Sequence, residues 1–237
     1  MPASLTPPSP STPTVLKVQV VLFDGFDPLD VIAPYEVLHA GGQAAGGAMT
    51  VELVSAEGPR EVVSGILGIT LRATSVLDPC ADVIVVPGAA GPVEDPDEVG
   101  LETIPVLLAA TLDTALPALV GAAMAREDTL VATVCGGSLE LAMAGLLVDR
   151  HAVTHHQGMD VLEATGALPV RARVVEDGRL VTGGGVTSGL DVGLYLLERL
   201  LGPATALAVE ALFEYERRGT TWHAPGAGAA IGAGVAA

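Results

Sequence analysis

One cysteine stands where a strand pattern changes into a helix pattern. Cys135 follows the small, partly β-branched run 130–134 and precedes Gly136 and Gly137. From Leu139 onward, apolar residues recur at helical spacing. A sharp strand-to-helix turn lifts its side chain out of the sheet, and the free N–H groups of a helix N-terminus favour a thiolate over a thiol. The context therefore predicts a nucleophile, although free cysteines are more commonly buried structural residues.

Two carboxylates follow the first predicted strand. Asp30 lies in an otherwise apolar helical start, and its neighbours, Leu29 among them, are expected to be buried. A carboxyl group held near a thiol in a closed pocket tends to stay protonated, so Asp30 could donate a proton. Asp27 stands directly before Pro28, which suits a helix N-cap, and we assign it that structural role.

The remaining candidates are weaker. His155 and His156 follow a short extended segment, and adjacent strand residues point to opposite faces, so at most one ring should reach a pocket; we favour His155. Cys80 follows Asp-Pro and precedes a strand, which predicts a structural thiol. The sequence has no cluster of metal ligands at the usual spacing, so we expect neither a metal nor another cofactor.

Strand and helix patterns alternate along most of the chain. Strands are predicted at 15–23, 50–56, 81–88 and 130–134, hairpins at 61–74 and around Asp177-Gly178, and helices at 28–40, within 98–126, near 158–165, at 188–202 and at 204–218. This alternation is typical of a doubly wound, mostly parallel sheet with helices on both faces, an α/β fold.

In such a sheet, ligands bind beyond the carboxyl ends of the strands. Five unusual features follow predicted strands: Asp30, the turn 87–91, Cys135, His155 and the glycines 183–185. The backbone N–H groups of the 87–91 turn could receive negative charge that develops on a substrate. This convergence predicts an active site at that edge of the sheet.

Length and composition bound the remaining possibilities. The chain has 237 residues, which fits one domain over 15–218, preceded by a Pro/Ser-rich leader at 1–14 and followed by a Gly/Ala-rich tail at 219–237, both expected to be disordered. The formal net charge of −17 disfavours nucleic acid and anionic membranes as partners. Two cysteines and no export-signal pattern favour a soluble, cytoplasmic protein.

Four stretches resemble the ThiJ/PfpI superfamily of cysteine enzymes, which is related to class I glutamine amidotransferases. They are "FDGFDPLDVIAPYEVL" (23–38), "DVIVVPGAAG" (82–91), "VCGGSLELAMAGLLVDRHAVTHH" (134–156) and "RVVEDGRLVTGGGVTSGLDVGLYL" (173–196). Within the superfamily they are most similar to the isonitrile hydratases, and they also resemble the sensor domains of AraC-type regulators. The resemblance implies a flavodoxin-like fold and a homodimer.

By position, the resemblance implies that Cys135 is the nucleophile and Asp30 its acidic partner. Gly88 and Ala89 match the loop that helps to form an oxyanion hole. The resemblance implies a threonine at position 136 in the isonitrile hydratases, where this chain has Gly136. It also implies a tryptophan at position 156, and His156 in its place makes the pocket more polar. The expected substrate-binding residues are Gly88, Ala89, Gly136 and His155.

The implied activity is the hydration of a small-molecule substrate, an isonitrile, to an N-substituted formamide through a thioimidate on Cys135. Because Gly136 and His156 differ from that branch, hydration or hydrolysis of another small electrophile in a biosynthetic pathway stays open. A stand-alone sensor, in which Cys135 is reversibly oxidised or binds a metabolite, is the non-enzymatic alternative.

Overall fold

The computed structural model describes residues 15–93 and 102–225. The predictions for the leader 1–14 and for the end of the tail, 226–237, fall outside the described residues, as does the segment 94–101.

An eight-stranded, mostly parallel sheet lies at the centre of the protein. Its strands are β1 (Leu16–Val21), β2 (Met49–Ser55), β5 (Ser75–Val76), β6 (Val83–Val86), β7 (Leu130–Thr133), β10 (Val174–Asp177), β11 (Leu180–Gly183) and β12 (Trp222–His223). Their order is β12-β10-β11-β7-β6-β1-β2-β5. All pairings from β11 to β5 are parallel, and β10 runs antiparallel to β11. The central strands β6 and β7 are buried along their whole length, as expected for a sheet covered on both faces.

Two small sheets lie outside the central one. The strands β3 (Arg60–Val63) and β4 (Thr70–Ala73) form the predicted first hairpin. The strands β8 (His151–Ala152) and β9 (Leu168–Pro169) pair in parallel. His155 therefore follows a strand of a separate sheet and not, as expected, a strand of the central one.

Seven helices cover the sheet in the described part of the chain. They are α1 (Pro28–Ala44), α2 (Ile104–Thr111), α3 (Leu116–Met124), α4 (Gly137–Met143), α5 (Met159–Ala164), α6 (Ser188–Leu201) and α7 (Pro203–Phe213). Helices α1, α6 and α7 pack against one another in one layer, and α4 packs against α2 and α5 in the other. The α/β doubly wound fold is thus confirmed.

Glycines bring α1 and α6 into close contact. A Cβ atom at Gly193 would lie 2.8 Å from Val37, and one at Gly41 would lie 2.2 Å from Leu197. Side chains at these positions would force the two helices apart, so the glycines fix the position of α1 over the sheet. This matters for the site because α1 carries Asp30.

The start of α1 follows the predicted capping pattern. Asp27 is the N-cap residue, and its Oδ1 accepts the N–H of Leu29 at 2.9 Å, with Pro28 in the first helical position. The expected burial of Leu29 is wrong, because 45% of its surface is exposed. Asp30 itself is fully buried. Only one side of this first turn faces the core.

Ordered structure continues beyond residue 218, the predicted end of the domain. Strand β12 pairs with β10, and the Arg218 N–H donates to Asp191 Oδ1 at 2.8 Å. The Tyr215 hydroxyl donates to the other oxygen of Asp191 at 3.0 Å. The start of the predicted tail is therefore held against α6 and the sheet.

Cys80 lies exposed on the surface, so it makes no contribution to core packing of the kind expected for a structural thiol.

Among the described residues, no single helix is long and apolar enough to cross a membrane; α2 and α3 reach that length only together, with a 70° bend between them.

Candidate active site

Cys135 occupies a strained turn between β7 and α4. Its φ angle is 54°, in the left-handed region that L-residues other than glycine rarely adopt. Such strain costs on the order of 1–3 kcal/mol and persists only where the surroundings enforce it. The predicted strand-to-helix turn at the cysteine is therefore present.

Four contacts enforce this backbone. The N–H of Cys135 donates to Gly183 O at 3.1 Å, and its carbonyl accepts the Thr154 hydroxyl at 2.8 Å. At the next turn, a Cβ atom at Gly137 would lie 2.2 Å from Val86 O, so only glycine fits there. Below the turn, the Ser138 hydroxyl donates to Val153 O, fixing the start of α4.

Asp30 approaches Cys135 from α1. Its Oδ2 accepts the N–H of Gly88 at 2.9 Å, whereas its Oδ1 is buried without a well-aligned hydrogen-bond partner. In return, the N–H of Asp27 donates to Gly88 O at 2.8 Å. Gly88 is thus bound on both sides to the first turn of α1. This pair of hydrogen bonds joins the acidic residue and the 87–91 turn into one unit.

The contribution of Gly88 to the predicted substrate-binding loop is therefore its position, because its N–H donates to Asp30. Its N–H is already used by Asp30, and Gly88 is absent from the described lining of the cavity. A Cβ atom at this position would lie 2.6 Å from Gly136 N and 2.9 Å from Asp30 Oδ2. Glycine is required here so that the 87–91 turn can approach both Asp30 and the strand-to-helix turn at Cys135.

The protonation of the site differs from the sequence-based expectation. Burial, followed by the charge of Asp27, raises the pKa of Asp30 well above its usual value, in agreement with the predicted proton donor. Burial and the Asp30 carboxylate also raise the pKa of the Cys135 thiol, and the Gly136 N–H offsets only part of this. The expected resting thiolate is wrong, because 93% burial and a neighbouring acid outweigh the N-terminus of a seven-residue helix.

A cavity of about 410 Å³ opens in front of Cys135. Its wall is mostly apolar and includes Val93, Ile104, Pro105, Leu108, Met143 and Val161. The polar side chains are few: Asp27, Cys135, His155 and Gln157. Of the residues that the structure describes, no lysine or arginine lines this cavity. Such a wall suits a small ligand with an uncharged, apolar body.

Ala89 and Gly136 are the two cavity residues whose backbone N–H groups are candidates for binding negative charge. Ala89 faces Phe26 across an antiparallel bridge that is flanked by the hydrogen bonds of its neighbours, so its own N–H points away from Phe26. Gly136 contributes the second N–H, which interacts with the Cys135 sulfur. Both residues line the cavity, as their predicted substrate-binding role requires.

His155 lines the cavity, and His156 lies exposed. The reason given for choosing His155 is wrong, because residues 156–158 form a short 3-10 turn and the two rings lie 4.3 Å apart. The Nδ1 atom of His155 accepts the Gln157 N–H at 3.4 Å, which places the ring proton on Nε2. Burial and the His156 ring lower the pKa of His155. A neutral imidazole N–H donor results.

Asp27 is the cavity residue that the sequence reasoning missed. It lines the cavity in addition to capping α1, and its charge acts on both Asp30 and Cys135. A usable signal was present, because the side chains of the N-cap residue and the third helical residue lie side by side at a helix N-terminus. Asp27 and Asp30 hold those two positions.

The chain belongs to the DJ-1/PfpI family, whose family model matches residues 109–199. An isonitrile hydratase of Pseudomonas putida is 36% identical over 204 residues, which cover 84% of this chain and 78% of that protein. A solved structure of a ThiJ/PfpI family protein from Pseudomonas syringae is 27% identical, with a TM-score of 0.68 over 86% of this chain and 77% of that one. Drosophila melanogaster DJ-1beta, at 20% identity, shares the fold with a TM-score of 0.67 over 86% of this chain and 100% of its own.

Proposed function

We propose that the protein hydrates isonitriles to N-substituted formamides. The observation that carries the proposal is the Cys135 sulfur, held at a strained turn beside the buried Asp30 carboxyl and facing an apolar cavity. The 36% identity to an isonitrile hydratase supports the choice of substrate class. An isonitrile carbon is a small electrophilic centre that a thiol can add to, and the apolar wall suits its organic substituent.

The first step forms a bond between the sulfur and the isonitrile carbon. Because the pKa of the thiol is raised, its proton leaves as the S–C bond forms, and Asp30 conveys a proton to the isonitrile carbon. The unpartnered Oδ1 of Asp30 is the atom free to exchange it. The product of this step is a neutral thioimidate on Cys135.

The second step adds water to the carbon of the thioimidate. One proton of the water ends on the nitrogen, and the N–H groups of Ala89 and Gly136 bind the new oxygen. The C–S bond then breaks, the hydroxyl proton returns to the sulfur, and the N-substituted formamide leaves. The sum is the isonitrile plus one water, with the thiol regenerated. His155, which lines the cavity and carries its proton on Nε2, donates a hydrogen bond to the nitrogen or oxygen during this step.

The test is the incubation of the purified protein with cyclohexyl and p-nitrophenyl isonitrile, with formamide measured by chromatography. We expect stoichiometric formamide from both compounds. The absence of formamide from every isonitrile tried would remove this activity.

A related reaction on another small electrophile is the second candidate, and Gly136 favours it. A Cβ atom at Gly136 would have ordinary contacts, 3.4 Å to Gly88 Cα and 3.5 Å to Leu108 Cδ1. Space beside the sulfur is therefore left open by the glycine and not required by the fold. Turnover of nitriles or small carbonyl compounds, with no turnover of isonitriles, would favour this candidate.

The sensor alternative has less support from the geometry. Peroxide reacts with exposed thiolates, whereas Cys135 is 7% exposed and burial raises the pKa of its thiol.

We also propose that the protein forms a homodimer, as its resemblance to the superfamily implies. Analytical ultracentrifugation at micromolar concentration would measure the oligomeric state.

A further inference from the structure

The cavity in front of Cys135 has an unbalanced charge. Asp27 is the one carboxylate among its described lining residues, and no described lysine or arginine faces it there. The nearest titratable ring, His155, has a pKa lowered by burial and by His156, so it does not supply a compensating positive charge. An anionic ligand would therefore meet the Asp27 carboxylate, with no cationic side chain among the described lining residues to balance it.

Asp27 is fixed in this position by the backbone. Its carboxylate accepts the N–H of Leu29 at 2.9 Å, so it cannot turn away without uncapping α1. Burial raises the pKa of Asp27, and the N–H groups of Leu29 and Asp30 offset part of this rise. The residue is half-buried, and a charge in such a place is screened less by water and salt than a surface charge. Burial is the larger cause, but the charge of Asp27 also raises the pKa values of Asp30 and Cys135.

We propose that Asp27 determines specificity by rejecting anionic substrates, so that the site accepts uncharged isonitriles and excludes those that carry a carboxylate. The inference rests on the proposed function for the identity of the substrate, an isonitrile. The charge selection itself concerns any reagent that reaches Cys135. The requirement for a negative charge at this position is separate from the requirement for a helix cap, because asparagine caps a helix as well as aspartate does.

A pair of alkylating reagents tests the charge selection without any isonitrile. Iodoacetamide and iodoacetate are similar in size and differ in charge. The thiolate attacks the carbon of both and displaces iodide, so the ratio of their rates is independent of the thiolate fraction. The chain has two cysteines, and a Cys80→Ala background leaves Cys135 as the single target. Rates are measured by intact-protein mass spectrometry at pH 8 with Asp27 and with Asp27→Asn.

The measured quantity is the rate of alkylation by iodoacetate divided by the rate with iodoacetamide, normalised to the same ratio for a small free thiol. With Asp27 present, we expect this normalised ratio to be lower than one by a factor on the order of ten. Asp27→Asn should remove most of that discrimination. Glu36→Gln is the matched control, because Glu36 is exposed on the same helix and its loss changes the net charge equally. Asp27→Ser keeps a cap without charge and serves if the asparagine variant is poorly folded.

An unchanged ratio in a folded Asp27→Asn or Asp27→Ser protein would overturn the proposal, and so would an equal change in Glu36→Gln. A parallel hydration assay compares isocyanoacetate with its ethyl ester. If the alkylation ratio shifts but neither compound yields formamide, the charge selection stands and the proposed function fails. If the ester is hydrated and the alkylation ratio does not respond to residue 27, the function stands and the inference fails.

Discussion

The Asp30 carboxyl and the Cys135 thiol form a coupled pair in which at most one group is readily ionised. Burial disfavours the charged form of both groups, and the Asp30 carboxylate further disfavours the thiolate of Cys135. Protons on such a pair are lost in steps that belong to both groups. The pair therefore enters the reaction carrying the proton that isonitrile hydration requires, and the nucleophile is generated as the S–C bond forms.

Replacement of Cys135 by alanine or serine should abolish formamide production, with a loss of at least about 10³-fold in kcat, since Cys135 is the only thiol among the described lining residues of the cavity. Formamide release followed by chromatography measures this. Cys80→Ala is the control and should retain full activity, because Cys80 lies exposed and is not among the described lining residues of the cavity. Turnover by the Cys135→Ala protein would contradict the covalent mechanism.

Asp30→Asn should change catalysis and thiol reactivity in opposite directions. Loss of the proton carrier should lower kcat by roughly 10²–10⁴-fold. Because the carboxylate raises the pKa of the Cys135 thiol, its removal should lower that pKa and move the pH profile of iodoacetamide alkylation to lower pH. The two readouts are hydration rate and alkylation rate against pH. A variant in which both rates fall together would indicate structural damage and not the loss of a proton carrier.

Gly88→Ala should destabilise the protein by about 1–3 kcal/mol, because its Cβ atom would meet the backbone of Gly136 at 2.6 Å and the carboxyl of Asp30 at 2.9 Å. Thermal or urea unfolding measures this. Gly136→Ala is the matched comparison, since its Cβ contacts begin at 3.4 Å and its φ of −67° suits any residue. Its unfolding free energy should stay within about 0.5 kcal/mol of the parent. Equal effects of the two substitutions would contradict the close approach of the 87–91 turn.

Glu140 on α4 should make stability depend on pH. The residue is 1% exposed and neither carboxyl oxygen has a hydrogen-bond partner among the described residues, since the nearby Thr111 hydroxyl donates to Leu108 O. Burial raises the pKa of Glu140 from 4.5 to about 8. The folded state then binds more protons than the unfolded state between those two values, so the unfolding free energy should fall as pH rises through that window.

Glu140→Gln should remove this dependence and stabilise the protein above pH 8 by a few kcal/mol, on the order that the shift implies. Below pH 4.5 the glutamate is protonated in both states and contributes no slope. Urea unfolding at pH 5, 7 and 9 measures the difference, with the exposed Glu163→Gln as control. Parallel pH profiles for the parent and Glu140→Gln would show that the carboxyl is stabilised by other means.

The sequence predicted the elements whose local signals agree with their tertiary setting. The strand-to-helix turn at Cys135, the cap at Asp27 and the Asp177-Gly178 hairpin depend on backbone geometry that a few neighbouring residues specify, and Gly178 indeed has φ of 62°. The errors arose where long-range packing decides. The resting charge of Cys135 depends on burial and on a residue about a hundred positions away, which no local pattern encodes.

Two further differences have the same origin. Leu29 was expected to be buried from its apolar neighbourhood, but the docking of α1 leaves that side of the first turn in solvent. His155 was chosen by strand alternation, whereas the chain turns sharply after β8 and places both rings together. The use of Gly88 by Asp30 was likewise hidden, because it joins residues 58 positions apart.

The double attachment of Gly88 to the first turn of α1 links two functions that are usually tuned separately. A shift of α1 that moves Asp30 would also move the N–H of Ala89, because Gly88 is hydrogen-bonded to α1 and directly precedes Ala89. A substitution that moves the Asp30 carboxyl to suit a new substrate would therefore also move the N–H group of Ala89. Variation is left to apolar lining residues outside this unit, such as Met143 and Val161, which are exposed.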